Sequence, residues 1–120
     1  MTPRFILPLL FATFTACANE PPHVRACNET ESAFDAIDTE FFSGPLAAAA
    51  CTPYVVPKAS LYNVMYVRLT IGSQVLEHRP IDYVGARQLA SGYWTVRIHA
   101  LDLTAQTFYA TPTEDQPPGD

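Results

Sequence analysis

A chain of 120 residues that is 48% hydrophobic and carries a formal charge of -5 has room for one domain with a thin core. All 12 acidic side chains follow Cys17, whereas one of the seven basic ones, Arg4, precedes it; the part beyond Cys17 therefore carries -6. This balance argues against nucleic acid as a partner, because neutralising phosphates needs clustered Lys and Arg.

The first segment joins one positive charge at Arg4 to the apolar run Phe5 to Phe14, interrupted by Pro8 and Thr13. Such a run is too short for a membrane-spanning helix, which takes about 20 apolar residues, but suits the core of a signal peptide over residues 1–16. Two processing sites compete at its end. Phe14-Thr15-Ala16-Cys17 resembles the lipobox of bacterial lipoproteins, with Phe14 where that family usually has Leu. The resemblance implies that Cys17 is acylated and becomes the N-terminus of a protein anchored to the membrane by lipid. Ala18 follows where inner-membrane lipoproteins often carry Asp, which implies the outer membrane, facing the periplasm. The competing pattern, Ala16-Cys17-Ala18, suits ordinary signal peptidase and a soluble periplasmic or secreted product.

Under either cleavage Cys27 and Cys51 remain as an even pair, suited to an oxidising compartment. A bridge between them would stabilise the domain by about 3 kcal/mol through loop closure; the alternative is two free buried thiols.

Residues 17–26, with Pro21 and Pro22, are expected to form the anchor and a tether, and 27–111 the single small domain. Asn28 and Glu31 have capping-box spacing, and Phe34, Ile37 and Phe41 recur at helical intervals before Gly44-Pro45. The pattern predicts a helix over 29–42, with Glu31, Asp35, Asp38 and Glu40 on a solvated opposite face. Pro45 opens a second short helix through Ala50. The helical part, 28–51, would then be a hairpin stapled by Cys27 and Cys51.

From Leu61 the period changes to two. Leu61, Met65, Val67, Leu69 and Ile71 alternate with Tyr62, Val64, Tyr66, Arg68 and Thr70, predicting a strand. Gly72-Ser73 turns the chain into a second strand over Gln74 to Arg79, ended by Pro80. Residues 81–89, with Gly85, are less regular. Trp94, Val96, Ile98 and Ala100 alternate with Thr95, Arg97 and His99 in a strand over 93–101. A turn near Asp102 to Ala105 leads to a partner strand over 106–111, and the acidic, proline-bearing residues 112–120 are expected to be disordered. The predicted fold class is α+β, a disulfide-linked helical segment followed by a small antiparallel sheet or sandwich spanning 54–111.

No Gly-x-Ser-x-Gly elbow or phosphate-cradling loop is present, and Ser73 and Ser91 read as turn residues. His78, His99 and one carboxylate are too few for a convincing zinc site, and Glu77 and Asp82 have no spacing specific to a paired-carboxylate centre. The reading is non-enzymatic, with no cofactor and no metal. Tyr62, Tyr66 and Tyr93 with Arg68 and Arg97 would make an aromatic and basic patch on a wet sheet face, suited to a protein partner; the alternative is cross-strand packing.

Ile71-Gly72-Ser73-Gln74-Val75-Leu76, His78-Arg79-Pro80-Ile81 and Leu89-Ala90-Ser91-Gly92-Tyr93-Trp94-Thr95-Val96 together resemble the PEGA-type small β-sandwich modules of bacterial envelope proteins, with Asp82 to Gln88 as an interruption. The resemblance covers residues 67–102 and implies a binding or spacer module. The function expected from these readings is a lipid-anchored interaction or assembly-accessory domain whose partner is another envelope protein. An inhibitor or exclusion lipoprotein, or a soluble periplasmic binding module, is the alternative.

Overall fold

A computed structural model describes residues 20–80 and 85–117. The expected signal segment, Cys17 and Asp82 lie outside these residues. Seven strands form: β1 (Pro22–Asn28), β2 (Phe34–Asp38), β3 (Ser43–Leu46), β4 (Val67–Ile71), β5 (Gln74–His78), β6 (Gly92–Asp102) and β7 (Thr107–Asp115). One sheet has the order β1-β6-β7 and the other β3-β2-β4-β5. Val24, Ala26, Val96, Ile98 and Phe108 from the first face Phe34, Ile37, Leu46, Val67, Leu69 and Leu76 from the second across one core, with Leu61, Met65 and Leu89 filling it from the connections. Two sheets that each bury one face against the other are a stable two-layer solution for strands of this alternating pattern.

The fold is therefore all-β among the described residues, and the expected α+β class is corrected. Where a helix over 29–42 was predicted, the chain turns and enters β2, and then β3. The reason lies in a bulge between Phe34 and Ile37. An inserted residue lets both point inward three positions apart, with Phe34 2% and Ile37 0% exposed; this is the spacing that also marks one face of a helix. The second predicted helix is likewise replaced, by the end of β3 and a turn through Ala49, whose φ of 63° is left-handed.

Asn28 caps no helix. Its Oδ1 accepts from the Thr30 amide at 2.9 Å and from the Thr30 hydroxyl at 2.7 Å. Its Nδ2 donates to the carbonyls of Ser32 at 2.8 Å, Ala47 at 3.2 Å and Leu46 at 3.4 Å. A local side-chain bond of the Asx type thus competes with helix initiation and prevails. With the side chain fully buried, one amide ties the end of β1 to the turn before β2 and to the end of β3.

Two boundaries also move. Residues 22–26 belong to β1 rather than to a tether, and residues 112–115 extend β7 rather than a disordered tail. Pairing supplies the backbone partners that Pro22 and Pro112 seemed to deny, since each proline removes only its own donor. The β4–β5 hairpin forms as expected, with Gly72 at φ 60° in the turn; the Gly72 amide donates to Asp35 Oδ2 at 2.6 Å, fastening the turn to β2. The expected strand from Leu61 is shorter and begins at Val67, while Tyr62 makes an isolated bridge to Gln88. Nor is the sheet wholly antiparallel, because β1 runs parallel to β6 over its whole length.

On its other edge β1 meets residues 51–55. Val24 and Val55 exchange two backbone hydrogen bonds at 2.8 and 2.9 Å. Asn28 N then donates to Ala50 O and Thr52 N to Ala26 O, both at 2.8 Å, so Cys27 and Cys51 oppose each other without a bond of their own. Such a position brings facing side chains closest. The two cysteines form a disulfide there, with Cα atoms 4.0 Å apart and a sequence separation of 24. The expected pairing is present, as a cross-strand link rather than a staple between helices. A disulfide of this kind fits an oxidising compartment such as the periplasm or the extracellular space. Among the described residues no helix is long and apolar enough to cross a membrane.

Candidate interaction surface

Alternation along β1, β6 and β7 sends one set of side chains into the core and the other outward. The registers set the outward set in rows: His23, Tyr93 and Asp115, then Arg25, Thr95 and Thr113, then Cys27, Arg97 and Thr111, and last His99 with Tyr109. None of these rows contains an aliphatic side chain.

At the Pro22 end the face is built around aromatic rings. His23 stacks on Tyr93 with centroids 4.5 Å apart and planes 16° from parallel, and Tyr54 meets Tyr93 edge-on at 5.0 Å. The Arg25 guanidinium lies over the Tyr54 ring, 4.7 Å from its centroid, and its Nε donates to Thr95 Oγ1 at 2.9 Å. The Tyr54 hydroxyl donates to Asp115 Oδ2 at 2.9 Å, and the Thr95 hydroxyl donates to the same oxygen. Burial and the bond to Asp115 raise the Tyr54 phenol above its ordinary value. Stacked rings, a cation over one of them and a shared carboxylate hold these long side chains in fixed positions, so little freedom remains to be lost when something binds.

Toward the other end Arg97 grips Glu29 through Nε at 2.9 and 3.0 Å and Nη2 at 2.9 Å. The bond from Arg97 draws the Glu29 carboxyl below its ordinary value of 4.5. Both side chains are more than a third exposed, so the effect on stability is small. Its sign is clear: a depressed folded value stabilises above the unfolded one and is lost as pH falls through the folded value. Glu29→Gln should lower the thermal midpoint slightly at pH 7, and the difference should shrink as pH falls below the ordinary carboxylate range and vanish once the folded carboxyl is protonated. Thermal melts of both proteins across pH 2–7 check this.

The five residues expected to share one patch are divided between the sheets. Tyr93 and Arg97 stand on the face just described. Tyr66 and Arg68 belong to the opposite sheet, where Asp38, Arg68 and Glu77 are cross-strand neighbours and Arg68 pairs with Asp38 at 3.4 Å. The Tyr66 hydroxyl donates to Glu77 Oε2 at 2.6 Å, and the Arg79 guanidinium lies 4.9 Å from the Tyr66 ring centroid. The bond to Glu77 raises the Tyr66 phenol. Tyr62 is placed apart from both, at its bridge to Gln88. A period of two shows which side chains share a face of one strand, but not which sheet that strand joins.

His23, Arg25, Tyr54 and Asp115 are the surface residues that sequence reasoning missed. The alternation of His23, Val24, Arg25 and Ala26 carries a strand signal, masked by the neighbouring prolines; Tyr54 and Asp115 join the face only through non-local pairing. His78 sits against Phe108 with centroids 5.9 Å apart, whereas His99 bonds Thr111 Oγ1 at 2.9 Å on the outer face of the other sheet. Among the described residues no group of three or more His, Cys, Asp and Glu side chains is placed to hold a metal ion. No family model matches the chain, and neither curated proteins nor solved structures give a match.

Proposed function

We propose that this protein is a lipid-anchored interaction module of the bacterial envelope, held to the membrane through Cys17, which binds another envelope protein through the outward face of the β1-β6-β7 sheet. The observation that carries the reading is the make-up of that face. Tyrosine, histidine, arginine and threonine cover it, and the rings and guanidinium at its Pro22 end are fixed in place. Tyr and Arg are favoured anchors of protein interfaces, where rigid aromatic area is buried at low entropic cost. The disulfide at the edge of the same sheet and the lipobox-like Phe14-Thr15-Ala16-Cys17 run support an exported, anchored form. The likeness of residues 67–102 to PEGA-type modules agrees with a binding or spacer role. Outer-membrane placement follows from Ala18 in a Gram-negative host.

Two exposed positions on opposite sheets provide the test, Tyr109 at 60% and Val75 at 54% exposure. With a photo-activated crosslinking residue in cells, position 109 should yield one discrete adduct with an envelope protein, and position 75 should not. Equal yields of the same adduct from both positions, or no adduct at 109, would overturn the assignment of this face.

A further inference from the structure

The anchoring just proposed has a geometric consequence that the sequence conceals. With β1 beginning at Pro22, only residues 18–21 separate Cys17 from the folded domain. A fully extended chain spans at most about 3.6 Å per residue, so Pro22 lies within about 18 Å of the acylated cysteine; a tether running to residue 26 would have allowed about 35 Å. Several ångströms of that reach are used within the headgroup layer. The Pro22 end of the domain is therefore held at the bilayer surface.

That end offers apolar contact and one lysine. Pro21 and Pro22 gather with Glu20, Pro57, Lys58 and Ala90 around a shallow depression, and Val56, 48% exposed, follows the Val24–Val55 bridge beside them. Lys58 is the chain's one lysine. The opposite end is acidic, with Glu29, Glu31 and Asp102 around a second depression. A negatively charged membrane surface repels the acidic end; at the Pro22 end, where Glu20 offsets Lys58, the lysine stem lies along the apolar rim while its ammonium reaches the phosphates. A lipid anchor with a second, weaker contact is the usual basis of stable membrane attachment.

We infer that the rim formed by Pro22, Val56, Pro57 and Lys58 is a bilayer-docking surface, which seats the domain upright and turns the β1-β6-β7 face sideways. The inference rests on acylation of Cys17. The single lysine supplies the probe. The full chain is recovered from membranes, placed in phosphatidylcholine–phosphatidylglycerol vesicles and treated with a water-soluble amine reagent, beside a form with a twenty-residue Gly-Ser spacer inserted after Ala18. Intact mass establishes acylation of both. Lys58 should be modified about fivefold more slowly in the natural chain than in the spacer form, whose linker relaxes the imposed proximity. Equal rates in two acylated proteins would overturn the docking surface and leave the anchor standing. Absence of acyl chains from the natural protein would overturn the anchor, and the docking surface with it.

Discussion

Replacing Asn28 by alanine should destabilise the fold by about 3 kcal/mol, a large part of what a domain this small possesses. One buried amide donates to the carbonyls of Ser32, Leu46 and Ala47 and accepts from the Thr30 amide and hydroxyl. Alanine removes all of these at once and leaves groups behind that were desolvated on the assumption of a partner. A buried polar group left unsatisfied costs about 1–3 kcal/mol, and the loss of a connected network exceeds that of one bond. Asn28→Asp keeps the shape but sets a second acceptor against the three carbonyls, and it should be no better than alanine at neutral pH. Urea unfolding reads both: the midpoint should fall with little change in slope. A midpoint within a few tenths molar of the natural protein would mean that the turns at Thr30 and Ala47 hold themselves.

Removing the disulfide should have a comparable effect. Closing a loop with 24 residues of separation restricts the unfolded chain by about 3 kcal/mol. Cys27→Ala with Cys51→Ala is the suitable variant, because it leaves no thiol to mispair, and Cys27 is buried enough for a small apolar replacement to fit. Reduction of the natural protein should reproduce the loss. Beyond global stability, the sheet edge formed by residues 51–55 should loosen first, since its remaining ties to β1 are the few backbone bonds around Val24, Ala26 and Asn28. Hydrogen exchange at Thr52 and Val55 distinguishes this local opening from a uniform decline. Unchanged exchange there in the reduced protein would show that the edge is held by pairing alone.

What could be read from the sequence follows a physical division. The β4–β5 hairpin and β6 were legible, because strict alternation around Gly72 and along Trp94 to Ile98 has one structural meaning. The disulfide was legible from cysteine number together with the signal-like pattern of the first residues. The region from Asn28 to Ala50 was not: a bulge gives Phe34 and Ile37 the spacing of a helix face, and an Asx turn gives Asn28 the look of a cap. β1 was hidden by Pro21-Pro22, although a proline at the start of a strand removes just one donor. The outward face of the β1-β6-β7 sheet was half legible. Tyr93 and Arg97 could be placed on one side of β6, but their neighbours His23 and Arg25 come from a parallel strand some 70 positions earlier, and nothing local announces such a partner.

The parallel pairing of β1 with β6 also governs the order in which the molecule can be built. Contacts between residues this far apart form slowly, since a long loop must close before any of them is rewarded. If the chain is exported N-terminus first, as proposed, Cys27 and Cys51 emerge well before residue 92. Cys27 at that moment lies on a strand with neither its parallel neighbour nor a core beneath it, and its thiol is open to an oxidant. The covalent link can thus be set while the chain is still incomplete. It then presents β6 with a pre-aligned edge, shortening the search that the topology would otherwise impose.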